Sequence, residues 1–379
     1  MKYVPEIIRH VKICGEKDTF CAHPVEAGEI FNFGNGEIAF MHLHTEQVDY
    51  NASLRHGQTG VHARAKVVLT RSFDGGYTWP KEEHVVLFDQ GLPVEEQEVI
   101  LSKQMTYADA KPLTSDTVFH FGKSFCGPYL DDGIRRKIQP FVMRSDDKGH
   151  SWSDKFALPE YYGYSLLQAH GPIVQQGNRL LKTFVVSNVP NVDNCSDAYS
   201  YCTLYSSEDF GVTWQYVSDI MRDLPAEKEI SYIGLVDLGD GHLLATAGSW
   251  MVGYAEKTRW INVCHSYDNG LNWTPYRCIR PFAVSPYPLK LNDGRILVVY
   301  ARRFPAHARG MFGIISDDNG ETWSDEFAIR QGDTSGGDIG YPVATQMEDG
   351  TIFTAYYYMT EDENSCSKAR HIAGTLFRI

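Results

Sequence analysis

The chain reads as an all-β protein built from repeated units, and three observations carry that expectation. An eight-residue pattern, Ser-x-Asp-x-Gly-x-x-Trp, occurs at residues 72–79, 145–152, 207–214, 266–273 and 316–323, at intervals of 50 to 73 residues. A short polar turn such as Asn35-Gly36 or Asp240-Gly241 separates two apolar runs ahead of each copy, and again after the last. With 22 Tyr, 19 Phe and 33 Gly in 379 residues, the composition suits many short strands joined by tight turns. Recurrence at this period signals an array of similar supersecondary units.

Each part of the octet has a physical task in a tight hairpin. The aspartates Asp74, Asp147, Asp209, Asp268 and Asp318 can accept hydrogen bonds from backbone N–H groups further along and fold an Asx-type turn. The glycine supplies a positive φ without steric cost. The tryptophan buries a large ring that can wedge one sheet against the next.

Taken in order, the units repeat an inner strand, a turn and a second apolar strand. Unit one has 29–33, the turn at Asn35-Gly36, then 37–42. Unit two is the least regular, with 110–113, a turn near Ser115-Asp116, then 118–121. Unit three has 170–174, Gly177-Asn178 and 180–186; unit four has 232–236, Asp240-Gly241 and 242–245. Unit five has 286–289, Asp293-Gly294 and 295–300. Unit six has 341–344, Asp349-Gly350 and 351–356, lacks an octet and ends in 370–377. No linker or low-complexity tract interrupts the series, so residues 1–379 are expected to form a single domain.

Charge and composition exclude several classes. The net charge of −13 argues against nucleic acid, whose binders cluster Lys and Arg against phosphates. No apolar run approaches the ~20 residues that span a bilayer, so no membrane partner is expected. Lys2, Glu6, Arg9 and Lys12 interrupt any apolar leader, which leads to an expected cytoplasmic location, or a secreted one if a leader was removed upstream. Eight cysteines without a CxxC pair read as reduced thiols. No cofactor or metal is expected from these patterns, and the oligomeric state is not specified by them.

The octet resembles the Asp-box of the sialidase superfamily, whose members are six-bladed β-propellers. That resemblance implies a six-bladed β-propeller with five Asp-box hairpins, in which the boxes are turn devices away from the catalytic face. A propeller must close its ring or leave sheet edges exposed. The N-terminal run 7–11 is the candidate to complete the blade that the C-terminus begins.

The turns also give a register for the mouth of the ring, where propellers place their concave sites. Nine residues before the turn glycine lie Ala27, Gln168, Tyr232, Ser285 and Tyr341, with Tyr107 or Ala108 in blade two. Polar residues near these points are Glu26, Glu29, Asp109, His170, Glu229, Tyr287 and Asp338. Convergence of carboxylates, tyrosines and a histidine on one mouth is an active-site-like constellation. Here the resemblance implies roles: Tyr341 stands where sialidases place a nucleophilic tyrosine, and Glu229 resembles the glutamate that activates it. A phenol with its ordinary pKa near 10 needs such a base. Asp338 and the loop residue Asp49 are the candidate acids.

The chain departs from the family at the three arginines that bind the substrate carboxylate. The first stretch reads Cys21-Ala22-His23-Pro24 and the second Ala247-Gly248-Ser249-Trp250, both without Arg. Arg302, Arg303 or Arg309 could be the third, and Arg64 begins the strand leading into the first box. Ser or His does not replace the bidentate fork of a guanidinium. His170, Arg64, Arg303, Arg309, Asp109, Tyr232 and Tyr287 are therefore the expected substrate contacts of a hydrolase that releases a terminal acidic or modified sugar from a glycan. Two alternatives remain: a lyase acting on a uronic acid through Tyr341, His170 and Arg303, and a carbohydrate-binding propeller without catalysis. His42 and His44 alternate on one strand, with His23, His56 and His62 nearby, which leaves a metal in blade one open.

Overall fold

The computed structural model describes residues 2–15, 19–22, 29–46, 65–101, 103, 106, 111–124, 139–158, 166–187, 200–224, 227–251, 259–360 and 370–379. They form six antiparallel sheets. In chain order β1 is Glu6–Cys14 and β2 is Thr19–Ala22. Blade one continues with β3 (Ile30–Gly34), β4 (Glu37–Glu46), β5 (Lys66–Ser72) and β6 (Val85–Asp89), and the short helix α1 (Val94–Leu101) follows it. Blade two shows β7 (Val118–Ser124), β8 (Gln139–Ser145) and β9 (Phe156–Ala157). Blade three is β10 (Leu166–Gln176) to β13 (Gln215–Met221), with β11 (Arg179–Ser187) and β12 (Ser200–Ser207) between them. Blade four is β14 (Lys228–Gly239), β15 (His242–Met251), β16 (Arg259–Ser266) and β17 (Arg277–Pro281). Blade five is β18 (Val284–Lys290), β19 (Ile296–Arg302), β20 (Gly310–Ser316) and β21 (Phe327–Gln331). Blade six has β22 (Gly340–Gln346), β23 (Ile352–Tyr358) and β24 (His371–Arg378).

The ring closes as expected. Strand β1 pairs antiparallel with β24, from Glu6 opposite Arg378 to Cys14 opposite Ile372, and so supplies the outermost strand of blade six. Closure gives the last sheet a partner for an edge that would otherwise be open. One expectation is corrected. Residues 111–114 of blade two lie in no strand, since Pro112 has no N–H to give a ladder and its carbonyl instead accepts from Arg144.

The five boxes share one wiring. In the third box the Ser207 hydroxyl donates to Asp209 at 2.8 Å and accepts from Gly211 N, while Asp209 also accepts from the Thr213 amide at 2.9 Å and hydroxyl at 2.6 Å. Trp214 Nε1 then donates to the Gly211 carbonyl at 3.1 Å. Box four alone sends its indole elsewhere, from Trp273 to Ser218 Oγ. The boxes also join blades. A Cβ on Gly211 would stand 2.3 Å from the Phe119 ring of blade two, and Trp214 packs edge-on against Phe121 of that blade at 5.0 Å. The first box meets blade six in the same way: a Cβ on Gly76 would meet Phe353, and the Trp79 ring lies 5.2 Å from it.

Candidate functional site at the heads of the inner strands

The inner strands β10, β14, β18 and β22 stand side by side, so their first residues converge. Each carries a bulge near its head, between His170 and Val174, Ser231 and Gly234, Val284 and Tyr287, and Gly340 and Val343. A left-handed residue sits in each bulge: Gly171 (φ 70°), Tyr232 (56°), Ser285 (54°) and Tyr341 (50°). Three of these are not glycine, and Tyr or Ser in that region carries strain that the surrounding packing must offset. The bulge re-aims a side chain that regular pleating would send between blades.

Tyr341 and Tyr232 meet as a result. Their hydroxyls are 2.6 Å apart and their rings cross edge-on at 4.9 Å. Burial pushes the Tyr341 phenol well above its ordinary range, Tyr232 adds to that, and Arg303 works against it. The Arg303 guanidinium lies 5.9 Å from the Tyr341 ring; its Nε donates to the Ile339 carbonyl and its Nη2 to the Tyr357 hydroxyl. Although burial alone would lower it, Tyr357, Asp338, Tyr341 and Tyr232 together raise the Arg303 pKa, so its charge is secure.

A second guanidinium lies within electrostatic reach of the same pair. Arg259, opposite Trp250 on the neighbouring strand, lies 4.3 Å over the indole ring. Burial lowers its pKa, Arg303 does the same, and Tyr232, Tyr341 and Glu229 oppose the shift. Two guanidiniums thus address one pair of phenols. The stretch 247–250 lacks an arginine, and this one arrives from the next strand instead.

Several expected residues hold other places. Glu229 is half-buried beside Trp250 and Arg259. Burial raises its carboxyl pKa, the Trp250 indole N–H and Arg259 lower it, and the hydroxyl bonded to Tyr341 is that of Tyr232. Tyr232, in the bulge, meets the Tyr341 hydroxyl, and Glu229, the base that the family resemblance implies, lies on regular ladder opposite Trp250. Asp338 accepts from Tyr357 at 2.7 Å and is paired with both Arg303, at 3.3 Å, and Arg370. A carboxylate held by two guanidiniums and a phenol is stabilised as a counter-ion. Arg309 donates to the Arg303 carbonyl at 3.0 Å and packs on Gly337, so it braces the Arg303 loop. Arg302 pairs with Glu326 at 2.7 Å.

His170 lies edge-on to the Tyr232 ring at 5.3 Å. His170, Tyr232, Ser285, Tyr287 and Tyr341 line a common cavity of about 20 Å3. Tyr287 is buried, and burial, then the Glu29 carboxylate, pushes its phenol up. Glu29 is a buried ion and not a solvated mouth residue. It accepts from His120 Nδ1 at 2.9 Å, Phe121 N at 3.1 Å and Lys182 Nζ at 3.2 Å, and so joins blades one, two and three. Asp49, Arg64 and Asp109 lie outside the described residues, as do Glu26, His23, His56 and His62. His42 and His44 pack near His84 and Cys14, and among the described residues no three metal-ligating side chains share a point that could hold an ion.

Reasoning from sequence missed Arg259, Ser285 and Tyr357. Ser285 did fall on the nine-residue register. Arg259 sits at the head of a third strand, beyond the stretch where an arginine was sought.

Residues 114–354, more than half of the chain, match the family described as the BNR repeat-like domain. No curated protein sequence matches. Among solved structures, a protein of unknown function from Dyadobacter fermentans is similar over 99% of both chains, with 20% identity and a TM-score of 0.73. The sialidase of Trypanosoma rangeli, solved with sialic acid, is similar over 97% of this chain and 58% of its own, with 13% identity and a TM-score of 0.58. An α-L-arabinanase of Penicillium chrysogenum, solved with arabinobiose, is similar over 98% of both chains, with 12% identity and a TM-score of 0.58. At these identities the likeness to solved structures is one of fold. With the family match, the five boxes and the closed ring of six blades, the chain belongs to the BNR repeat-like domain family.

Proposed function

We propose that this protein is an exo-acting glycosidase that removes a terminal acidic sugar from a glycan, with Tyr341 as the group that meets the anomeric carbon. The placement of the Tyr341 hydroxyl against Tyr232, facing Arg259 and Arg303, carries this reading. Guanidiniums match a carboxylate in charge and in bidentate geometry. A neutral phenol suits a substrate whose carboxylate would repel an anionic nucleophile. Binding the sugar carboxylate fixes the ring, and fixing the ring is where most of the rate gain from orientation arises.

The test is turnover of a panel of glycans ending in sialic or uronic acids, by wild type and by Tyr341→Phe. Wild type should release the free sugar, and Tyr341→Phe should lose at least ~1,000-fold in kcat while its thermal midpoint stays in place. Undiminished turnover by Tyr341→Phe would sink this reading. His170 beside Tyr232 supports a second reading, a lyase that abstracts the proton next to a uronate carboxylate. Its products absorb in the near ultraviolet as unsaturated uronates, and a hydrolase's do not. Binding without any product would leave the carbohydrate-binding propeller.

A further inference from the structure

Tyr341 has a chemical difficulty at its hydroxyl. The group hydrogen-bonded to it at 2.6 Å is another phenol, and burial makes its own ionisation harder. A phenol that attacks carbon must give up its proton to something, and Tyr232 is no resting base.

The cavity lined by both tyrosines offers a route. Its volume of about 20 Å3 exceeds the ~10–15 Å3 that one water needs. Polar groups border it. Ser285 Oγ is buried, with no hydrogen-bond partner among the described residues, on a residue whose left-handed φ turns it away from regular pleating. His170 and Tyr287 are further polar members of the lining, and both residues are more than nine-tenths buried. An orphaned buried hydroxyl is unfavourable, and a water bonded to two or more polar groups offsets that cost.

We propose that this cavity holds one ordered water, positioned by Ser285, that links the Tyr232–Tyr341 pair to His170, so that the proton lost by Tyr341 ends on the His170 imidazole. The inference rests on Tyr341 being the group that meets substrate. As the Tyr341 oxygen bonds to the anomeric carbon, its proton moves to the Tyr232 oxygen, the Tyr232 proton moves to the water, and a proton of that water moves to His170. The glycosidic bond breaks with its electron pair on the leaving oxygen, which is protonated from solvent at the mouth. When water later attacks the tyrosyl-linked sugar, that water gives its proton back to solvent at the mouth, the relay runs backwards, the imidazolium returns its proton and Tyr341 is released neutral. His170 acts through Tyr232 and is a positioning and relay residue.

The surroundings of His170 fit this part. Tyr232 and Tyr341 border it on the reacting side, and Tyr287 and Ser285 line the same cavity. The Lys182 ammonium donates to the carbonyl of the adjoining Gly171 and is held by Glu29. Arg259 and Arg303 are permanent cations in the field of the phenols, with Asp338 beside Arg303 and Glu229 beside Arg259, and an imidazole is the side chain type whose ordinary titration lies nearest neutral pH.

The experiment compares wild type with His170→Gln and Ser285→Ala. With an accepted glycan, wild-type kcat should fall on the acid side as His170 becomes protonated. In His170→Gln that acid limb should vanish and kcat should drop about 100-fold with KM nearly unchanged, the scale of one general base. Ser285→Ala should lower kcat about tenfold and keep the limb. An unchanged acid limb in His170→Gln, with kcat within about threefold of wild type, would overturn the relay. A second arm needs no substrate, so failure of the glycosidase reading stays separate. The His170 imidazole is titrated by NMR in wild type and in Tyr232→Phe, and a high-resolution crystal structure is read for the cavity. A shifted titration midpoint and an ordered water on Ser285 Oγ support the relay. An unmoved midpoint or a dry cavity overturns it.

Discussion

Two sets of repeats share this ring and repeat different things. The boxes repeat side chains: all five use Ser, Asp and Gly in the same bonds, from Ser72–Asp74 at 2.8 Å to Ser316–Asp318 at 2.8 Å. The heads of the inner strands repeat a backbone: a bulge with one left-handed residue recurs in blades three to six, but the residue is Gly171, Tyr232, Ser285 or Tyr341. A device whose purpose is to join blade to blade gains from being identical. A site built from several blades gains from one scaffold conformation that presents different chemistry from each.

If that division holds, changes in a box should affect stability and spare the mouth, and changes at the mouth should do the reverse. The largest effect should come from Trp214→Ala, which removes a buried ring packed on Phe119 and Phe121 of the preceding blade. We expect a loss of about 3–5 kcal/mol in urea unfolding with kcat/KM unchanged at low temperature. A fall in kcat/KM without loss of stability would reverse the comparison. Next is Arg259→Met, which keeps a long apolar stem over Trp250 and removes the charge. The prediction is a ~100-fold loss of kcat/KM on an acidic glycan, about 2.7 kcal/mol, with the unfolding midpoint in place. A variant equally active on acidic glycans would separate Arg259 from the substrate.

The same contrast explains what the sequence made legible. Side-chain repetition is visible in a single sequence, so the octets, the blade count and the closing strand 7–11 could all be read from it. The mouth is written in backbone geometry, and left-handed tyrosines leave no pattern at the residue level. Tyr341 stands out through its register. Tyr232 does not announce itself as the group beside it, because the bulge re-aims its side chain, whereas Glu229, three residues earlier, remains on regular ladder. Arg259 escaped because a guanidinium reaching from a third strand depends on the long stem stacked on Trp250, which no spacing rule encodes. The counter-charges of Asp338 are equally hidden, since one of them, Arg370, lies far along the chain.

A milder test of the box side is Asp209→Ala. It strips acceptors from the Ser207 hydroxyl and from the amide and hydroxyl of Thr213, and should cost about 2 kcal/mol with the mouth intact. An unchanged urea midpoint would mean the box is held by its Gly and Trp alone.

The smallest effect lies in the pH dependence, where two windows separate. Burial lowers the pKa of His42 and His84 below the ordinary 6.5. The unfolded chain therefore binds protons first as pH falls below that value, and stability declines there. The box aspartates act later. Hydrogen bonds from Ser151 and Ser145, outweighing the opposing effect of burial, hold Asp147 at about 2 against an ordinary 3.8. Its stabilising contribution is complete above the unfolded value and is lost as pH falls from about 4 through 2. Urea midpoints of wild type and Asp147→Asn between pH 5 and 2 should therefore converge toward the acid end, since the amide cannot titrate. Because Asp147 is exposed, the convergence should be small. Parallel curves would show that this carboxylate adds nothing to the acid limb, leaving the loss to the buried imidazoles and to Glu29, whose pKa Lys182 and His120 lower despite its burial.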